Sequence, residues 1–243
     1  MIDKRPDGRK FEEMRKIEGK VGIVKRADGS AMFKIGDTVA IAAVHGPRVL
    51  HPRFLQDPQK GVLRCNYDMA TFSVSDRKKP GPSRRSSEIS LVTEKSLLPV
   101  LDLSMYPSSV IDVFIEITQA NAGTRCAGIV AASMALAHAG IPMKDLVSAI
   151  SVGKVGGRVV VDLDKEEEDL ESFGGPTDIP IAYTPKNGEF TLLQLDGNIT
   201  KEEFIEALKL GRESCKQIQK EQERALKEVY KEKGKWIKII LCH

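Results

Sequence analysis

Residues 128–139 read Gly-Ile-Val-Ala-Ala-Ser-Met-Ala-Leu-Ala-His-Ala, and the run closes on Gly140 and Pro142. Its alanine content and length predict a buried helix rather than a strand. A buried helix must be surrounded by apolar surface, so the flanking segments decide the fold. Val110 to Ile117, just before it, is rich in branched residues and reads as a strand. Earlier, Val21 to Lys25, Ala31 to Ile35 and Thr38 to Val44 read as strands, with Asp28-Gly29 as a hairpin signal. Leu63, Cys65, Tyr67 and Met69 alternate with Arg64, Asn66 and Asp68, which gives a strand with one polar face.

Ser86 to Leu103 has helical spacing and ends before Pro107, and a short helix is expected near Lys144 to Ser148. Arg158 to Leu163, Asp178 to Tyr183 and Phe190 to Asp196 read as strands, the last two joined by Asn187-Gly188. Thr200-Lys201-Glu202-Glu203 is a capping box that opens a long helix. The order of elements predicts an α+β fold, helices packed on a mixed sheet, in a single domain. The stretch Lys231 to His243 is basic, then apolar, and carries no assigned role.

Several chemistries are excluded. The 37 Lys+Arg against 34 Asp+Glu leave a net charge of +3, so any polyanion must be held by a local concentration of cations. No stretch approaches the roughly 20 apolar residues of a membrane span, and no apolar run follows the charges at the N-terminus. A cytoplasmic location is therefore expected. Cys65, Cys126, Cys215 and Cys242 form no Cys-x-x-Cys pair and stand at no metal-ligand spacing from His45, His51, His138 or His243. They read as reduced thiols, mostly buried, and His138 as a packed residue. Neither a Gly-x-Ser-x-Gly elbow nor a His-Glu-x-x-His motif is present. Gly153-Lys154-Val155-Gly156-Gly157 has neither Rossmann nor P-loop spacing and reads as a strand-turn-strand connection.

Positive charge concentrates in three places. Arg77, Lys78 and Lys79 precede Pro80-Gly81-Pro82 and Ser83-Arg84-Arg85, a loop that feeds the helix at Ser86. Arginine forks beside free helix amides suit phosphate oxygens. Ala122-Gly123-Thr124-Arg125 links a strand to the apolar helix and offers close backbone approach, a hydroxyl, amides and a guanidinium, an anion cradle in outline. Arg48 to Arg53 is the third patch. Among the carboxylates, the run Asp162, Asp164, Glu166, Glu167, Glu168, Asp169 and Glu171 reads mostly as a solvated loop. Asp178 differs, because it opens an apolar strand. A carboxylate beside a phosphate cradle serves as general acid or holds a divalent metal.

Arg5-x-Asp7-Gly8-Arg9, Ala27-Asp28-Gly29-Ser30-Ala31, Ser83-Arg84-Arg85, Gly123-Thr124-Arg125 and Thr177-Asp178-Ile179-Pro180, in this order, resemble the RNase PH family of phosphorolytic exoribonucleases. Val44-His45-Gly46-Pro47-Arg48, His51-Pro52-Arg53 and Ala139-Gly140-Ile141-Pro142-Met143 are similar, within that family, to the catalytic ring subunits of archaeal exosomes. The resemblance covers roughly residues 5–230, the core of the domain, and implies a ribosomal-protein-S5-like fold and 3′→5′ degradation of single-stranded RNA by inorganic phosphate, reversible to tailing from nucleoside diphosphates. It implies that Arg85, Gly123, Thr124 and Arg125 hold phosphate and that Arg53 and Arg84 touch RNA. Asp178 and Asp169 would assist the leaving oxygen and hold a metal such as Mg2+, with Glu168 or Glu171 as alternatives to Asp169. The implied partners are a catalytically silent companion subunit in a three-by-three ring and RNA-binding cap proteins. Alternatives within the resemblance are a homohexamer that trims tRNA 3′ ends and an RNA-binding scaffold subunit. The chain departs from the family between the two acids, where Leu170 to Thr177 is longer than usual.

Overall fold

A computed structural model describes residues 5–168 and 177–240, with side chains through residue 231. The strands divide between two sheets. The first contains β1 (Ile17–Val21), β2 (Gly29–Ile35), β3 (Thr38–Val49), β4 (Val62–Met69) and β5 (Ser109–Gln119) in the order β1-β2-β3-β5-β4. It is mixed, because β4 runs parallel to β5 while the other pairs are antiparallel. The second contains β6 (Ser148–Val155), β7 (Arg158–Val161), β8 (Thr177–Thr184) and β9 (Glu189–Leu193) in the order β7-β6-β8-β9, antiparallel throughout. The helices are α1 (Arg84–Leu97), α2 (Thr124–His138), the single turn α3 (Lys165–Glu168) and α4 (Lys201–Ile240).

The apolar run forms α2, which packs on strands of both sheets. Apolar contact on opposite sides is why it carries no polar stripe. Its small residues let backbones approach. A Cβ on Gly29 of β2 would stand 2.4 Å from the Ala135 carbonyl oxygen, and one on Gly128 would stand 3.1 Å from Ile115. The helix stops at Gly140 (φ 78°), where Ile141 N donates to Leu136 O and Gly140 N to Ala137 O. These paired bonds are a Schellman ending. One hydrophobic cluster spans both sheets, from Phe33 and Ile115 through Ile129 to Ile150 and Ile181.

Several elements depart from the expected ones. The first strand lies earlier than Val21 to Lys25. Asp28-Gly29 does lie where β1 and β2 join as an antiparallel hairpin, though not as a two-residue turn. Residues 22–28 form a loop, and the Asp28 carboxylate accepts from Gly46 N at 2.8 Å. The tight turn is instead Gly36-Asp37, between β2 and β3. No helix forms near Lys144 to Ser148. Lys144 N donates to Val100 O, Val147 N to Ser133 Oγ, and Ser148 opens β6. The helix placed over Ser86 to Leu103 starts at Arg84 and ends at Leu97, just before the 3-10 turn Leu98–Val100 that contains Pro99. The capping box at Thr200 is present, with Thr200 N donating to Glu203 Oε2 and Glu203 N to Thr200 Oγ1.

The largest departure concerns the acidic run. Asp162, Asp164 and Glu167 are buried rather than solvated. Arg5 grips Glu167 through Nε and Nη2, both at 2.7 Å, and Arg15 grips Asp162 through Nε at 2.8 Å and Nη2 at 2.7 Å. Arg9 adds a contact to Asp162 at 3.3 Å. These arginines lie some 150 residues away in sequence, so no local pattern announces them. Cys65, Cys126 and Cys215 are buried free thiols, as expected, and Cys242 lies outside the described residues. Among the described residues no helix is long and apolar enough to cross a membrane.

Removing one partner of a buried pair strands the other charge, at a cost of about 3–5 kcal/mol. Glu167→Ala is therefore expected to lower the unfolding free energy by roughly that amount in urea or guanidinium titration. A loss below about 1 kcal/mol, the range of surface pairs, would contradict the assignment.

Candidate active site

At the N-terminus of α2 the chain leaves β5, turns through Ala122 (φ 57°) and Gly123 (φ 64°), and enters the helix at Thr124. Gly123 occupies the cap position in a left-handed conformation, and no side chain caps this end. The opening amides and the positive end of the helix dipole are thus free for an anion. The start of α1 differs. There Ser83 and Ser86 form a reciprocal capping box, and Ser83 Oγ accepts from Ser86 N at 3.1 Å. That end holds its own amides, so α1 contributes its arginine rather than its backbone.

A cavity of about 530 Å³ opens over the α2 terminus. Arg85, Gly123, Thr124, Arg125 and Asp178 all line it, together with Lys78, Ser151, Lys165 and Glu168. The first turn of α1 and the turn into α2, separated by β5 in the chain, thus bring their arginines together beside Asp178, and Asp76 also lines the cavity. Arg84 and Arg53 are exposed and stand outside this wall, Arg53 in the 3-10 turn Arg53–Leu55. Asp169 and Glu171 lie outside the described residues, as does the stretch from Leu170 to Pro176. Glu168, the alternative acid, lines the cavity.

Asp178 sits in β8, where its backbone exchanges hydrogen bonds with Asp196. Its Oδ1 accepts from Ser151 Oγ on the neighbouring β6. Burial pushes its pKa above the ordinary carboxylate value, and Asp196 adds to the rise. The Ser151 hydrogen bond and the charges of Arg125 and Arg85 oppose that rise without cancelling it. Arg125 is oriented by a separate set of partners. Its Nη1 donates to Gln194 Oε1, its Nη2 lies 3.4 Å from Glu88 Oε2, and Gln194 Nε2 donates to Glu88 Oε1 at 3.2 Å. The thiol of Cys126, also at the wall, is driven far up by burial and is no nucleophile.

Ser151, Glu88 and Gln194 were not visible as site residues in the sequence. Glu88 follows Arg85 by one helical turn, which is a usable signal. Ser151 and Gln194 reach the site only through strand register.

This arrangement can gather an anion against a dipole and two guanidiniums while a neighbouring carboxyl keeps its proton to higher pH than usual. Such chemistry suits a phosphate-using transferase or nuclease better than a hydrolase with an activated side-chain nucleophile. The chain belongs to the RNase PH 3′ exoribonuclease family. Domain 1 of that family matches residues 13–142, and domain 2 matches residues 145–214. The exosome complex component Rrp41 of Pyrococcus furiosus is 55% identical over 227 residues, covering 93% of this chain and 89% of the relative. Rrp41 of Methanopyrus kandleri is 52% identical over 226 residues, covering 93% of each. Among solved structures, rice Rrp46 superposes with a TM-score of 0.81 at 22% identity, covering 92% of this chain and 100% of that one. The Archaeoglobus fulgidus exosome with RNA bound to the active site superposes at 0.77 and 23% identity, covering 90% and 92%. The two structural likenesses establish the RNase PH-like fold.

Because the folded pKa of Asp178 lies above its unfolded value, this group favours folding below the unfolded pKa, and that contribution fades as pH rises through the folded pKa. Asp178→Asn is expected to be more stable than the parent at neutral pH, with the difference vanishing in acid. Ser151→Ala removes a bond that favours the ionised form and should move the Asp178 carboxyl titration upward in carbon NMR. An unchanged or lower value would refute the role given to Ser151.

Proposed function

We propose that this chain is a catalytic subunit of an RNA-degrading exosome ring, a 3′→5′ exoribonuclease that uses inorganic phosphate in place of water. The observation that carries the reading is the convergence of Arg85, the uncapped Gly123–Arg125 turn and Asp178 on one cavity. The family match and the Rrp41 relatives support it.

The chemistry follows from the charges. Phosphate and the terminal phosphodiester are both anions and repel each other. In the proposed site the amides of Thr124 and Arg125, with the guanidiniums of Arg125 and Arg85, hold the attacking phosphate and offset that repulsion. An oxygen of this phosphate attacks the 3′-terminal phosphorus, the bond to the 3′ oxygen breaks, and a nucleoside diphosphate leaves. The departing 3′ oxygen takes a proton, which the Asp178 carboxyl supplies. The reverse reaction extends RNA from nucleoside diphosphates and frees phosphate. Arg84 and Arg53 are assigned to the RNA backbone, where contacts position the strand without reading its sequence.

Mg2+ takes one or two carboxylates together with substrate phosphates. Asp178, with Asp169 or Glu168, offers such a donor set, and a bound ion would supply further charge neutralisation there. Among the described residues no group of three or more His, Cys, Asp or Glu side chains stands ready to hold a metal by itself. The reading carries with it a catalytically silent companion subunit alternating in a three-by-three ring, RNA-binding cap proteins, a cytoplasmic location, and a single RNase PH-like domain across the core.

The test is phosphate titration of the reconstituted ring on single-stranded RNA. Phosphate-dependent release of nucleoside diphosphates is expected, with at least about a hundredfold loss in Arg125→Ala and in Asp178→Ala rings that still assemble. Full activity in the Asp178→Ala ring would remove Asp178 from catalysis. Absence of product at every phosphate concentration would make the chain a scaffold.

A further inference from the structure

Beneath the proposed phosphate turn lies a group of buried residues that the mechanism does not use. Ala122 and Gly123 are both left-handed, and for Ala122, which carries a Cβ, that conformation is strained. Something must hold it. Thr38 Oγ1 donates to Ala122 O at 2.7 Å and accepts from Asn121 N at 2.9 Å, so one hydroxyl braces both sides of the turn. The Asn121 carbonyl takes Arg15 Nη1. Arg15 is in turn fixed to Asp162, whose Oδ2 accepts from Arg15 N and Nε at 2.8 Å and whose Oδ1 accepts from Nη2 at 2.7 Å.

The turn Gly36-Asp37 serves both braces. It delivers Thr38 to the start of β3, and it clears a path for the Arg15 stem. A Cβ on Gly36 (φ 55°) would stand 2.5 Å from Arg15 Cδ. Arg15 Nη2 lies 3.4 Å from where a Cβ on Gly123 would be, directly behind the cradle. Thr38 is fully buried and Arg15 nearly so, and neither lines the cavity.

We propose that Arg15 and Thr38 are positioning residues for phosphate. They hold the Asn121–Gly123 turn, left-handed at Ala122 and Gly123, in the path that aims the first amides of α2 and the Arg125 side chain into the cavity. The proposal rests on the reading of that cavity as the phosphate site.

Thr38→Val keeps shape and burial but leaves the Asn121 amide and the Ala122 carbonyl without their partner. In the assembled ring it is expected to weaken inorganic phosphate binding about tenfold by calorimetry, because the turn, having lost both bonds, must be reordered when phosphate binds. The phosphate KM should rise to match while kcat changes less than about threefold, and Thr38→Ser should restore binding to within about twofold. Arg15→Lys, which keeps the charge and loses the fork, is an independent arm and should also weaken phosphate binding. Arg5→Lys is the control, because Arg5 is likewise buried, against Glu167, reaches Asp162 only at its backbone carbonyl and not at the carboxylate that holds Arg15, and makes no bond to the turn. It is expected to lower stability and leave phosphate affinity unchanged. Parent-like phosphate binding in both Thr38→Val and Arg15→Lys, or equal weakening in Arg5→Lys, would overturn the proposal. A parent ring that binds no phosphate would instead overturn the functional reading beneath it.

Discussion

Asp162 accepts hydrogen bonds from Arg15, and its backbone carbonyl accepts from Arg5 Nη2 at 2.8 Å and Arg9 Nη1 at 3.2 Å. Through this buried carboxylate the N-terminal segment, the end of β7 and the turn before α2 are tied to one another. A buried charge of this kind loses its hydration, and a well-packed apolar replacement is often no less stable. What the junction supplies is a fixed geometry among three segments that are remote in the chain. The Arg5-x-Asp7-Gly8-Arg9 segment and the acidic run are two halves of a single device. Neither half has an evident purpose without the other.

Helix α2 connects that device to the chemistry. Its body is the centre of the core, held between two sheets and made of residues small enough to let backbones meet. Its first turn is left without a side-chain cap. A helix so tightly enclosed cannot tilt or slide, so its open amides face the cavity in a fixed direction. Preorganisation of this kind is what an anion site needs, because the dipoles do not have to reorient when charge develops. The capped α1 terminus a few residues from Arg85 shows the contrast. There the helix end is satisfied internally and only a flexible side chain reaches the cavity.

How much was legible in the sequence follows from the range of each interaction. Helix α2, the Thr200 capping box and the Asn187-Gly188 hairpin are local, and short patterns found them. The arginines at 85 and 125 and the aspartate at 178 stood out as charges at element ends. The burial of Asp162, Asp164 and Glu167 was misread, because their partners lie at the other end of the chain. The helix expected near Lys144 failed because its amides are taken by Val100 and Ser133, which the segment itself does not reveal. Ser151 and Gln194 depend on register in the second sheet, and the division into two sheets had no local signature. Asp169 falls in the long segment outside the described residues, and Glu168 is the nearest preceding carboxylate whose side chain lines the cavity.

Where a bound anion sits is the most direct question to put to this account. A crystal of the ring soaked in inorganic phosphate should show one tetrahedral anion hydrogen-bonded to the Thr124 and Arg125 amides, with the guanidiniums of Arg85 and Arg125 on it and Asp178 alongside. A phosphate found elsewhere, with the α2 terminus open to water and Arg85 turned away, would contradict it.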